Sequence, residues 1–176
     1  MQVEFPYTLT RFGQVEYGAV LFAQLASGPM VRAVKAFTAD EDGNRSDHLV
    51  SIGPFGDDIP DLPVMYLPYA IRDGPILDVT SQCYFRPSLE PEDLKRLDGY
   101  SSRDLVGRVV LLENDILLGV VCPRGSGSWE AAFLSVQTGE IVFRLPEDRG
   151  MTSSRWSLIA PREDAPPALL FEHRVS

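Results

Sequence analysis

The sequence predicts a mainly β protein: a small barrel-like or two-sheet β unit, or a pair of such units, with one short helix in the central connection. Three observations lead there. Apolar and polar residues alternate with a period of two along several runs, as half-buried strands require. Three pairs of β-rich runs are joined through Gly, Asn or Asp, residues that accept the geometry of tight turns. One segment carries the charge order and stop signal of a helix.

Taken in order, residues 5–10 read as a short strand and 15–25 as a longer one. In the second, Val15, Tyr17, Ala19, Leu21, Ala23 and Leu25 share a face, with Glu16 and Gln24 turned the other way. A first hairpin runs along 31–38, turns through 39–44 and returns along 48–52. Residues 53–68 are rich in Pro and Asp and largely irregular, because proline removes ladder donors; a short strand is expected at 64–69. Arg72-Asp73-Gly74-Pro75 is a strong turn signal. After it, Leu77, Val79, Ser81, Cys83 and Phe85 alternate with Asp78, Thr80, Gln82 and Tyr84, the cleanest strand pattern in the chain.

The helix is expected at 91–99. Pro91 suits a first turn, Glu92 and Asp93 complement the positive N-terminal dipole, Lys95 and Arg96 the other end, and Gly99 stops it. Leu94 and Leu97 form its apolar stripe, so it is about two turns long. Ser101-Ser102-Arg103-Asp104 caps one more turn before Gly107. Two further hairpins follow, 109–112 returning along 116–121 and 129–136 returning along 141–145. Strands at 156–159 and 169–173 flank a solvated connector at 161–167. The runs Ala33–Thr38 and Ala131–Val136 resemble each other in their turns and flanking strands. The chain is thus either a single β-rich unit over 1–176 or two quasi-repeated halves, 1–60 and 105–176, joined by 61–104.

Composition narrows function by exclusion. The 176 residues are 44% apolar, and a chain this long buries roughly 70% of its unfolded surface without needing a disulfide or structural metal. No apolar run nears the roughly 20 residues that cross a bilayer, and the first residues lack a secretory signal. The expectation is a cytoplasmic protein with no membrane partner. Sixteen Lys and Arg against 25 Asp and Glu give a net charge of −9. Polyanion binding relies on clustered cations, so nucleic acid is not an expected partner, whereas a basic protein is. Unpaired strand edges favour a homodimer. Cys83, Cys122, His48 and His173 lack the spacing of a zinc site, and neither metal nor cofactor is expected.

Motif candidates reduce in the same way. Asp40, Asp42 and Asn44 have the one-three-five spacing of a calcium loop, but Arg45 and Ser51 stand where its Gly and Glu belong. Gly125-Ser126-Gly127-Ser128 has no Lys for a phosphate loop and does not match a nucleophile elbow. Asp47 and His48 are neighbours on one strand and must face opposite sides, so they cannot act as an acid–base couple. Asp57, Asp58 and Asp61 cluster in the Pro-rich loop, where they form a solvated acidic surface or hold a divalent cation for hydrolysis. Arg72 and Arg86 flank the cleanest strand beside Tyr66, Tyr69 and Tyr84; Arg and Tyr are frequent interface anchors, and core packing of some of these tyrosines is the competing reading.

Gly18-Ala19-Val20-Leu21, Val31-Arg32-Ala33-Val34 and Ser88-Leu89-Glu90-Pro91-Glu92-Asp93-Leu94 together resemble the opening strand, a basic residue before a strand, and the closing helix of the PemK/MazF-like toxin barrel. The resemblance covers under half the chain and implies an RNA endonuclease with Arg32 as its catalytic or RNA-contacting residue. The family's Arg-Pro pair is absent, since Ala33 follows Arg32. The leading expectation is a non-enzymatic protein-interaction module, with immunity proteins that neutralise toxins as the analogy. It binds through Arg72, Arg86, Tyr66, Tyr69 and Tyr84 or through the acidic loop. The RNA endonuclease and a metal-assisted hydrolase are the alternatives.

Overall fold

The computed structural model describes residues 8–26, 28, 30–53, 62–67, 76–80, 83–146 and 149–175. Its strands, in chain order, are β1 (Thr8–Thr10), β2 (Val20–Gln24), β3 (Met30–Ala39), β4 (Arg45–Ser51), β5 (Val64–Tyr66), β6 (Ile76–Thr80), β7 (Tyr84–Pro87) and β8 (Leu94–Arg96). After these come β9 (Val109–Leu111), β10 (Ile116–Pro123), β11 (Trp129–Ser135), β12 (Ile141–Val142), β13 (Met151–Ser153), β14 (Arg155–Ala160) and β15 (Ala168–Arg174). The protein is mainly β, and among the described residues no helix is long and apolar enough to cross a membrane.

Twelve of these strands make one sheet, ordered β1-β6-β2-β3-β4-β5-β10-β9-β13-β8, with β11 on the other edge of β10 and β12 beyond it. β15, β14 and β7 make a second, antiparallel sheet. The larger sheet is not closed into a barrel, which corrects that part of the expectation. The nearest approach to closure is an isolated bridge between Phe37 of β3 and Glu140, supported by Phe37 N–H donating to the Gly139 carbonyl at 2.9 Å. One bridge pins two edges together but builds no ladder. Gly139 is required there: it has φ +77°, and a Cβ would lie 2.6 Å from the Gly18 nitrogen.

The three hairpins form where turn chemistry placed them, as β3–β4, β9–β10 and β11–β12. At the β3–β4 tip, Asp40 accepts from the backbone of Asp42 and Asn44 and from the Asn44 side chain, so its carboxylate closes the turn. The Asn44 amide and these backbone bonds hold the Asp40 carboxyl below its usual range. The cleanest strand pattern divides in two. β6 joins the larger sheet between β1 and β2, whereas β7 pairs with β14 in the smaller one. The strand expected from residue 15 begins only at Val20, after Gly18 at φ +82°.

The short helix expected at 91–99 does not form. Residues 91–93 make a single turn, with Leu94 N–H donating to the Glu90 carbonyl at 3.0 Å. Pairing with β13 then takes over: Leu94, Lys95 and Arg96 lie opposite Ser153, Thr152 and Met151. Asp93, read as complementing a helix dipole, is only 1% exposed. It accepts from the Ser88 hydroxyl at 2.8 Å and pairs with Arg174 at 3.4 Å. A sheet edge and a buried carboxylate outweigh a weak local helix preference.

The main core lies between the two sheets. Val34, Ala36, Val50, Leu118, Val120, Ala132 and Leu134 from the larger meet Phe85, Trp156 and Leu158 from the smaller. The opposite face of β10 and β11 is also covered, by Leu97 and Leu105 packed on Leu117 and Phe133. This explains why the apolar residues of β10 follow one another without polar alternation, since a strand buried on both faces needs none. Gly119 interrupts that run because the chain passes directly over it: a Cβ would lie 2.0 Å from the Leu105 carbonyl oxygen.

Trp156 is 1% exposed and donates from Nε1 to the Gly107 carbonyl at 2.8 Å, tying the smaller sheet to the segment that enters β9. Trp156→Phe leaves that carbonyl unpaired in the core and is expected to lower stability by roughly 3 kcal/mol, read by urea unfolding with circular dichroism. Gly119→Ala is expected to cost about 3 kcal/mol or more, because backbone must shift to admit the methyl. Gly125→Ala, with open space around its Cβ position, stays within about 0.5 kcal/mol.

Candidate functional site

A cleft of about 960 Å³ runs beside β15, lined on that side by residues 171–175 and on the other by Tyr100, Arg103, Arg108 and Trp129. Its outer wall is built by a local motif. Ser101 and Asp104 cap each other reciprocally: the Ser101 hydroxyl accepts from the Asp104 N–H at 3.4 Å, and Asp104 Oδ2 accepts from the Ser101 N–H at 2.9 Å. This holds one 3-10 turn at Ser102–Leu105, with Leu105 buried in the core behind it. The bonds from Ser101 keep the Asp104 carboxyl below its ordinary range. With Leu105 anchored inward, Arg103 projects to the surface.

Both wall arginines lie over aromatic rings. The Arg103 guanidinium is 4.8 Å from the centre of Trp129 and donates from Nη2 to the Trp129 carbonyl at 3.3 Å. The Arg108 guanidinium is 5.3 Å from the Tyr100 ring and donates from Nε to the Asp104 carbonyl at 3.1 Å. Neither has an ion-pair partner among the described residues. Each fork therefore keeps donors for a carboxylate or similar anion. On the opposite side, Arg174 reaches Asp93, and Glu172 pairs with Arg155 at 2.7 Å. The two carboxylates that line the cleft, Asp104 and Glu172, are thus engaged within the chain, whereas Arg103 and Arg108 line it without an ion pair among the described residues.

Of the residues expected to bind, the three that are described lie on two different sheets. Tyr84 and Arg86 are exposed together on the outer face of β7, opposite Ile159 and Ser157 of β14. Tyr66 sits on β5 in the other sheet, half-buried against the apolar cluster of β2–β4, and burial pushes its hydroxyl pKa up. Arg72, Tyr69, Asp57, Asp58 and Asp61 lie outside the described residues. Arg32 donates from Nη1 to the Leu170 carbonyl at 2.9 Å and lies over Phe22 and Phe171, so its contacts tie β3 to β15. Desolvation lowers its pKa.

Asp47 and His48 do face opposite sides of β4. Asp47 accepts from the Tyr17 hydroxyl at 2.5 Å and stands 3.7 Å from the buried Lys35 ammonium, which donates to the Phe12 carbonyl at 3.0 Å. That hydrogen bond, followed by burial, raises the Tyr17 pKa. His48 shares a hydrogen bond with the Thr38 hydroxyl through Nε2 at 2.9 Å, on the core side. Cys122 is buried and its thiol is pushed up by desolvation; Cys83 is half-buried. Among the described residues, no three His, Cys, Asp or Glu side chains gather as a metal-holding group.

The cleft residues were not singled out from sequence. Ser101 and Asp104 carry the capping signal, but Arg103 and Arg108 on that segment, Trp129 and Arg174 lie on three separate stretches with no motif linking them. Comparison of the chain with protein-family models, curated proteins and solved structures finds no match.

His48 generates a pH prediction. It is 5% exposed, and desolvation lowers its pKa, opposed by the charge of Asp47. The unfolded chain therefore takes up a proton near pH 6.5 that the folded chain resists, and stability falls as pH drops through that value. The thermal midpoint is expected to be lower at pH 5.5 than at pH 7.5. His48→Gln, which keeps a partner for Thr38, is expected to shrink that difference; an unchanged difference would assign it to other groups.

Proposed function

We propose that this chain is a non-enzymatic module that binds another protein, and that the arginine–aromatic cleft beside β15 is its recognition surface. The supporting observation is the pair of guanidiniums, Arg103 and Arg108, each positioned by an aromatic ring and presented to an open cleft in a chain of net charge −9. Arg and aromatic anchors supply most of the energy at protein interfaces, and a ring beneath a guanidinium limits the freedom lost on binding. The acidic surface draws basic regions of a partner from a distance, while the cleft itself accepts anionic groups at contact. Tyr84 and Arg86 on β7 and the exposed Leu169 on β15 extend the available surface across the outer face of the smaller sheet.

The test is capture of a partner by the immobilised full chain from native host extract, alongside an Arg103→Ala/Arg108→Ala variant of unchanged circular dichroism. The wild-type chain is expected to retain a stoichiometric protein, cross-linked to residues 100–108. Loss of two anchors is expected to weaken retention by roughly thirtyfold or more, the equivalent of about 2 kcal/mol. Equal retention by the variant, or substrate turnover without a protein partner, overturns the reading.

A further inference from the structure

β15 is an edge strand: it pairs with β14 and with no other described strand. The register shows which of its backbone groups remain outward. Val175 N–H donates to the Ser154 carbonyl at 2.8 Å, whereas the Arg155 carbonyl turns the other way and accepts from Ser88 of the β7 side at 2.8 Å. In an antiparallel pair these directions alternate residue by residue. Arg174 and Glu172, opposite Arg155 and Ser157, therefore direct their N–H and C=O groups away from β14. Among the described residues, neither finds a backbone partner on that side.

The cleft lies along this edge. It is lined by Phe171 and His173, which belong to the inner face of β15, and by Glu172 and Arg174, which belong to the outer face. A cavity touching both sets of side chains follows the strand's rim. Five residues of extended chain there span about 17 Å.

We propose that the cleft takes an extended acidic segment of a partner protein, added as a fourth strand to the smaller sheet along β15. The outward backbone groups of Glu172 and Arg174 supply the ladder, and Arg103 and Arg108 receive carboxylates from the added strand. An added strand lies about 4.8 Å from its neighbour, and a cleft of about 960 Å³ holds one short strand between β15 and the arginine wall. The edge of a second copy would bring its own wall against this one, so a single segment is the better occupant. Backbone pairing gives such sites affinity and side-chain pockets give them specificity. This inference rests on the interaction reading above and deepens it.

The probe is a library of random dodecapeptides displayed on phage and selected on the immobilised full chain. Affinities of the enriched sequence, made synthetically, are then measured by fluorescence polarisation. Enrichment in Asp and Glu is expected, with Arg103→Ala/Arg108→Ala weakening binding about tenfold or more. N-methylation of alternate peptide nitrogens is expected to weaken binding tenfold or more in one parity and less than twofold in the other. Glu172→Pro, which deletes an outward N–H, is expected to match the harmful methylation, and Glu172→Gln to leave the backbone pairing intact. Should Glu172→Pro lose its circular dichroism signal, the methylated peptides read the same bonds from the ligand side.

Absence of acidic enrichment, indifference to methylation in both parities, or displacement by a uridine decamer at equal concentration each overturns strand addition. Indifference to methylation combined with loss in the double arginine variant leaves the interaction reading standing. Failure to capture any protein in the host experiment removes both.

Discussion

The contact on which the arrangement depends is the Trp156 indole. Its ring packs against Phe85 at 5.2 Å, Phe171 at 5.6 Å and His173 at 5.3 Å, one neighbour from β7 and two from β15. Its Nε1 leaves this aromatic group to bond the Gly107 carbonyl in the larger assembly. A single side chain thus gathers all three strands of the smaller sheet and fixes them to the turn that precedes β9. That same turn carries Arg103 and Arg108, so the width of the cleft follows from where the indole sits.

Charge is handled by position. Two of the most buried ionisable groups, Lys35 and Asp93, are held by partners: Lys35 by Asp47 and the Phe12 carbonyl, Asp93 by Ser88 and Arg174. A buried charge without such partners would be strongly unfavourable. Lys35 also lies 4.9 Å from the ring centres of both Phe12 and Tyr17, which replace part of its lost hydration. These groups are committed to holding the fold, whereas Arg103 and Arg108 of the 101–108 segment carry no ion pair among the described residues.

The cleft is a local reversal in an acidic protein. The carboxylates nearest to it are engaged, Asp104 in a capping turn and Glu172 with Arg155. The two guanidiniums on the wall are instead each held by a ring and one backbone carbonyl, which leaves further donors on both forks. In the proposed complex a short anionic segment meets this surface at contact range, while a long polyanion meets the field of the whole chain, whose net charge is −9.

What the sequence determined by itself was local. Alternation and turn residues identified the β class and all three hairpins, because hairpin pairing is decided by neighbours a few residues apart. The opposition of Asp47 and His48 followed from strand geometry alone. Tertiary structure decided the rest. The pattern from Leu77 to Phe85 could not show that its two ends enter different sheets, and Pro91 to Gly99 could not show that β13 would claim Leu94–Arg96 as a strand. The cleft was hidden for the same reason: Arg103, Arg108, Trp129 and Arg174 meet only after β15 returns from the far end of the chain. Long-range pairing depends on surfaces that do not exist until the core has formed.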